Sequence, residues 1–240
     1  MTDTNDILLS SPRINEKERN ACININKMYQ SLPIAGSDKA ANFTNWARTR
    51  DINRFISRLR LYELIKNIPG CIFECGVHYG GGVSAWQHLT EIFEPVNFTR
   101  RIFGFDTFDG FPSVSLNDKS LLGNIHQQGD FSLGDSAETI ICCLHEIEDT
   151  RKISIPNRLN IIKGDISSTL PQVLSDDRSI SIALLYLDLD LYEPTRDVLM
   201  HCRDRLTKGS VVVFDQYADS NWPGETYARI DTFGLNNVSM

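Results

Sequence analysis

Two short stretches constrain the fold of this 240-residue chain more than any other feature. Ser181 to Asp188 reads SIALLYLD, and Ser210 to Asp215 reads SVVVFD. Each is a nearly unbroken apolar run of strand length that closes on an aspartate. A half-exposed strand alternates apolar and polar residues, whereas a parallel strand covered on both faces has no polar side. Three further β-rich runs precede them: Cys71 to Cys75, Arg101 to Asp106 and Leu159 to Lys163. Helical patterns over Gly82 to Phe93, Ser167 to Leu174 and Tyr192 to Leu206 separate most of the five. Strands and helices in alternation predict an α/β fold with a doubly wound, mostly parallel sheet.

Upstream, residues 1–45 are polar and weakly periodic, and a mobile arm with short helices is expected there. Ile52, Phe55, Ile56, Leu59, Tyr62, Leu64 and Ile65 then recur at helical spacing, and Pro69-Gly70 is expected to end that helix. Arg48, Arg50, Arg54, Arg58 and Arg60 fall between them, a run that reads as a solvated face or as a lid for an anionic substrate. The expected division is residues 1–66 as an N-terminal arm and helix, with a lid or oligomerisation role, and residues 67–240 as a ligand-binding domain. Within the latter, residues 107–158 are too long for a simple crossover and are expected to shape a substrate site. Asp135-Ser136-Ala137-Glu138 reads as a capping box opening a helix in that insertion.

Composition excludes several functional classes. With 24 Lys and Arg against 31 Asp and Glu the net charge is -7, which argues against a nucleic-acid partner. No apolar run approaches the roughly 20 residues that span a bilayer. Met1 to Ile14 lacks the basic start and apolar stretch of a signal peptide, so a cytoplasmic protein without a membrane partner is expected. Cys22, Cys71, Cys75, Cys142, Cys143 and Cys202 show no zinc spacing and read as small hydrophobes.

The chemistry is expected at the carboxyl ends of the strands, where open α/β sheets bind ligands. An acid ends or closely follows each strand: Glu74, Asp106, Asp165, Asp188 and Asp215. The first turn, Glu74-Cys75-Gly76-Val77-His78-Tyr79-Gly80-Gly81-Gly82, lets backbone approach a ligand and opens a helix whose amides face it. It is neither GxGxxG nor a P-loop. A carboxylate at Glu74 repels a pyrophosphate and suits a cationic amino-acid moiety, which favours S-adenosylmethionine over a nicotinamide cofactor. Asp106 is placed to accept from ribose hydroxyls. Asp165 is placed to accept from an adenine amino group, or equally to cap the next helix. Asp188 and Asp190 share a side if the fourth strand persists, and the adjacent strand brings Asp215 beside them. Such carboxylates repel unless protonated or bound to a cation, and oxygen ligands suit Mg²⁺. The metal is expected to polarise an acceptor hydroxyl while a nearby acid takes its proton. His126 lies in the insertion, either in a solvated loop or within reach of substrate.

The motifs ECGVHYGGG, GFDTFDGFPSV, LLYLDLDLYEPT and FDQYADSNWPGET resemble the macrocin O-methyltransferase-like family from about Asn42 onward. These are class I, Rossmann-like enzymes that methylate hydroxyls of deoxysugars, free as nucleotide sugars or attached to natural products. The resemblance implies that Glu74, Gly76 and Asp106 hold the methionine and ribose parts of S-adenosylmethionine, with Asp165 near adenine. Val77, Gly81, Ser84, Thr107 and Asp188 complete the expected cofactor set. Asp188 and Asp190 are the expected catalytic acids, and Asp188, Asp215 and Gln216 the expected Mg²⁺ ligands. The family often has a second acid where this chain has Gln216. It also usually adds two strands after the WPGET helix, whereas this sequence stops at Asn237 to Met240 with room for the start of one. That predicts an open edge on the fifth strand, covered by the N-terminal arm or by a second copy, and hence a homo-oligomer. The expected function is Mg²⁺-assisted O-methylation of a sugar or nucleotide sugar. The alternatives are a cofactor-binding but impaired homologue, or a nicotinamide-dependent oxidoreductase.

Overall fold

The computed structural model describes residues 15–234. The leaderless reading of Met1 to Ile14 and the expected strand start at Asn237 to Met240 lie outside the described residues. The chain divides into two compact units, Met1–Ser57 and Arg58–Met240.

The first unit is more regular than expected. Helix α1 (Glu16–Ser31) runs for 16 residues, because Asn15 accepts the Glu18 amide at 2.9 Å and acids occupy the first turn. The short α2 (Gly36–Ala41) follows. Trp46 meets Tyr29 edge-on at 5.5 Å, and Arg48 grips Asp51 through two bonds of 2.8 and 3.0 Å. None of its described residues is fully buried, so it has no core of its own. Helix α3 (Thr49–Ile65) contains the boundary between the units. It ends four residues before Pro69, not at Pro69-Gly70, where the Ile65 carbonyl accepts from the buried Arg100 guanidinium at 2.9 Å.

The second unit is the doubly wound sheet. Strands β1 (Cys71–Cys75), β2 (Ile102–Asp106), β3 (Leu159–Lys163), β4 (Ile182–Leu187) and β5 (Leu206–Phe214) are all parallel, in the order β3-β2-β1-β4-β5. Helices α4 (Gly81–Phe93), α5 (Ser136–Asp149), α6 (Ile166–Asp176), α7 (Tyr192–Cys202) and α8 (Gly224–Phe233) complete the unit. Every residue of β1 and β4 is buried. Alternation splits them between two cores: Ile72, Leu184 and Tyr186 pack with Trp86 on one face, and Phe73, Cys75, Leu185 and Leu187 with Leu170 and Val198 on the other. Burying that apolar surface on both sides is the main force holding the sheet, at roughly 25 cal/mol per Å².

Three local expectations are corrected. The predicted α7 run to Leu206 stops at Cys202, because Arg203–Arg205 tighten into a 3₁₀ turn and Leu206 already pairs with Ile182. The Asp135 side chain makes no capping bond to α5, since its backbone is already helical (φ -64°, ψ -13°) and turns the carboxyl away from the amides. Val211, Val212, Val213 and Phe214 read as a central strand covered on both faces. They are instead half-buried, because β5 pairs only with β4 among the described residues.

Candidate functional site

The parallel register lines the strand ends up in one row. Gly76 donates to the Phe105 carbonyl at 2.9 Å, Asp188 to Cys75 at 2.8 Å, Asp215 to Leu187 at 2.9 Å and Gly164 to Asp106 at 2.9 Å. The acids that follow the strands therefore collect at one edge of the sheet.

Glu74 is almost fully buried, and both of its oxygens are occupied. Oε1 accepts from Arg58 Nη2 at 3.1 Å and Oε2 from Trp86 Nε1 at 2.5 Å. Burial pushes its carboxyl up, and the Arg58 charge pulls it back. The arginine run predicts a solvated or anion-binding face for Arg58. Arg58 instead points inward because it shares an i, i+4, i+7 stripe with Tyr62 and Ile65, the buried residues of α3. Its guanidinium also lies 4.7 Å from the Tyr186 ring centre and 5.7 Å from that of Trp86. Glu74 is thus neutralised by a protein cation, not left free as the sequence suggested.

The glycine turn is shaped by contacts as well as by dihedrals. Gly76 sits at φ +99°, and a Cβ there would lie 2.0 Å from the Asp188 carbonyl oxygen. Gly82 touches Glu74, where a Cβ would come within 1.7 Å of Oε1. Helix α4 starts after Gly80 with no side-chain cap, so first-turn amides, Gly81's included, are not claimed by a capping residue. Ser84 is half-buried in that first turn, its hydroxyl donating to the Gly81 carbonyl at 3.3 Å.

Asp106 organises this turn. Its Oδ2 accepts from the Val77 and His78 amides at 2.7 and 2.8 Å, and Oδ1 accepts from the Phe108 amide at 2.6 Å. Asp165 caps α6, accepting from the Ser167 amide at 3.0 Å, which is the capping alternative weighed for it. A cavity of about 470 Å³ opens between these strand ends, bounded by Thr107, Asp109, Phe111, Gln128, Lys163 and Asp165.

On the other side of β1 the acids crowd together. Strand β4 ends at Leu187 and Asp190 takes φ +61°, so the expected strand alternation does not relate Asp188 to Asp190. Both residues are nevertheless half-buried and close enough for their charges to interact. Burial raises Asp188 well above its ordinary value, with Asp215 and Asp190 adding repulsion. Burial and the charges of Asp215 and Asp219 push Asp190 up to about 7. Asp215 accepts from the Tyr186 hydroxyl at 2.6 Å and from Gln216 Nε2 at 3.3 Å. One oxygen of Asp190, Oδ1, is buried with no hydrogen-bond partner. Among the described residues no group of three or more His, Cys, Asp or Glu side chains is gathered closely enough to hold a metal. The residues expected to hold a hard cation are Asp188, Asp215 and Gln216, and the Gln216 amide nitrogen faces Asp215 in this structure.

Sequence reasoning missed several residues here. Glu225, in the first turn of α8, is fully buried and accepts amides from the loops after both β4 and β5. The WPGET motif contains it, but nothing in the motif indicated that this acid faces inward. The loop after β5 is also fastened to the insertion. Asn221 Oδ1 accepts from the Ser120 hydroxyl at 2.8 Å and from Asn124 Nδ2 at 2.5 Å, and the Asn221 carbonyl lies 3.1 Å from His126 Nε2. His126 stacks on Trp222 with ring centres 3.7 Å apart, and Phe111 and Phe131 pack around the same indole. His126 is therefore half-buried in an aromatic cluster beside the site, not in a solvated loop.

The Macrocin-O-methyltransferase (TylF) family matches residues 47–228. The mycinamicin III 3''-O-methyltransferase of Micromonospora griseorubida is 26% identical over 153 residues, 62% of this chain and 56% of that protein. The chain thus matches little more than half the length of that curated relative. A crystal structure of CalS11, calicheamicin methyltransferase, superposes with a TM-score of 0.89 at 33% identity, covering 95% of this chain and 88% of that one. An apo structure of CalS11, described as a TDP-rhamnose 3'-O-methyltransferase, gives 0.81 at 30% identity, covering 95% and 90%. The fold is that of the class I methyltransferases, and this chain belongs to the macrocin O-methyltransferase family.

Proposed function

We propose that this chain is an S-adenosylmethionine-dependent O-methyltransferase whose acceptor is a hydroxyl of a deoxysugar or nucleotide sugar. The observation that carries this reading is the half-buried acid cluster of Asp188, Asp190 and Asp215 at the strand ends beside the glycine turn. Arg58 packs against this edge and is paired with Glu74. Asp188, Asp190 and Asp215 complement a ligand bearing a sulfonium and an ammonium group, whose positive charge would favour their ionised forms.

S-adenosylmethionine supplies the methyl group and leaves as the neutral thioether. The amides opening α4 would receive its carboxylate, Asp106 and Thr107 would meet the ribose, and the cavity between Thr107 and Asp165 would take the adenine. Asp188, Asp215 and the Gln216 amide oxygen would hold Mg²⁺, which supplies Lewis acidity to the acceptor hydroxyl. The orphaned Asp190 Oδ1 and the mutual repulsion of these acids fit a cation there. Asp188 or Asp190 takes the acceptor's O–H proton as its oxygen bonds to the methyl carbon and the carbon–sulfur bond breaks. Relatives described as acting on mycinamicin III and on TDP-rhamnose support a sugar acceptor. The test is turnover on nucleotide deoxysugars with and without Mg²⁺, alongside calorimetric titration with S-adenosylhomocysteine and with NAD. Binding of NAD in preference to S-adenosylhomocysteine refutes the reading. Turnover unaffected by chelation removes the metal from it.

A further inference from the structure

The geometry points to Glu225 as a positioning residue that makes the two acid-bearing loops a single rigid unit, an inference that rests on the proposed role of Asp188, Asp190 and Asp215. Glu225 Oε1 accepts from the Leu189 amide at 3.0 Å and the Asp190 amide at 3.1 Å, while Oε2 accepts from the Gln216 amide at 3.2 Å. One carboxylate on α8 therefore spans the loop after β4 and the loop after β5. Neither loop is otherwise held at these amides by strand pairing, since β4 ends at Leu187 and β5 at Phe214.

The conformation being held is an unfavourable one. Asp190 sits at φ +61°, in the left-handed region that side chains other than glycine rarely occupy, and its own N–H is one of the three donors to Glu225. The cluster beside it repels itself through Asp188, Asp190 and Asp215. A loop pushed by like charges and bent into αL relaxes unless something overdetermines it. Glu225, fully buried and bonded through both oxygens, supplies that constraint. Removing it leaves three inward-facing amides without acceptors. Glu225 meets both loops through these three amides, and burial together with the Asp190 charge pushes its own carboxyl up to about 8, so the three bonds hold the loops in place although the acid adds to the repulsion it restrains.

The experiment compares Glu225→Ala and Glu225→Gln with the wild-type chain by amide hydrogen exchange, S-adenosylhomocysteine titration and steady-state kinetics. Glu225→Ala is expected to speed exchange at Leu189, Asp190 and Gln216 by at least about tenfold while the β1 and β4 amides keep their protection. Its kcat is expected to fall about 100-fold, the usual cost of displacing a reacting group by an ångström, with Kd for S-adenosylhomocysteine within about threefold. Glu225→Gln keeps one acceptor oxygen and is expected to restore kcat partway. Unchanged exchange at the three amides, a kcat within threefold of wild type, or loss of protection across the whole sheet overturns the inference. Asp188→Asn, run in parallel, tests the acid cluster separately: a wild-type rate in that variant refutes the role of the cluster, whereas the exchange data report on Glu225 alone.

Discussion

Two adjacent glycines at the start of α4 provide a sharp test of the Arg58–Glu74–Trp86 contact. At Gly82 an added Cβ would lie 1.7 Å from Glu74 Oε1, 2.6 Å from its Cδ and 2.8 Å from Arg58 Nη2. At Gly81 nothing lies within 4 Å. Glu74 cannot step aside cheaply, because it is buried and held on both oxygens by Arg58 and Trp86. Gly82→Ala must therefore break that pair, and a buried ion pair left uncompensated costs about 3–5 kcal/mol. The helix propensity gained on replacing glycine by alanine returns at most about 1 kcal/mol. The net expectation is a loss of about 2–4 kcal/mol, or roughly 4–16 °C in Tm for a domain of this size. Gly81→Ala is expected to be neutral or slightly stabilising, within about 1 kcal/mol. Urea and thermal unfolding followed by circular dichroism, at one protein concentration, measures both. If Gly82→Ala is as stable as Gly81→Ala, the buried Arg58–Glu74 pair is not the constraint argued for here.

Asp106→Ala should weaken S-adenosylhomocysteine binding by about 1–3 kcal/mol, because Asp106 holds the Val77 and His78 amides of the glycine turn and is the proposed ribose acceptor; unchanged affinity by calorimetry contradicts this. Asp188→Asn and Asp215→Asn should abolish turnover while leaving cofactor affinity nearly intact, and wild-type rates in both variants would remove the acid cluster from the mechanism. Asp177 provides a pH test at a distance from the site. The Ser179 hydroxyl and the Arg101 guanidinium hold its carboxyl down at about 2, so its contribution is present above the ordinary value of 3.8 and is lost as pH falls through 2. The side chain is 36% exposed, so Asp177→Asn should cost less than about 1 kcal/mol at pH 7 and progressively less as pH falls toward and through 2; a deficit in urea midpoint that does not shrink between pH 7 and pH 2 contradicts the assignment.

Strands β1 and β3 were legible in the sequence to the residue, and the other three to within a few residues. Apolar runs and their bounding acids are local signals, and a parallel sheet needs little else to be recognised. The row of acids at the strand ends was legible for the same reason, since the end of a strand is also the end of its apolar run. Arg58 and Glu225 were not. Each is a charged residue on a helix, and a charged residue on a helix faces water unless another chain segment brings it a partner. The partners are Glu74, 16 positions from Arg58, and the amides of Leu189, Asp190 and Gln216, which lie up to 36 positions from Glu225. The clustering of His126 with Trp222, 96 positions apart, was invisible for the same reason.

By itself the sequence determined the layer architecture, the edge of the sheet where the acids gather and the family. Those follow from hydrophobic burial, which is written in local periodicity, and from motifs that are contiguous along the chain. Only the tertiary structure decided which charges are neutralised, which carboxyls are left to repel one another and which backbone amides a buried acid holds. Those outcomes depend on desolvation and on distances of a few ångströms between residues remote in sequence, and both exist only once the sheet has closed.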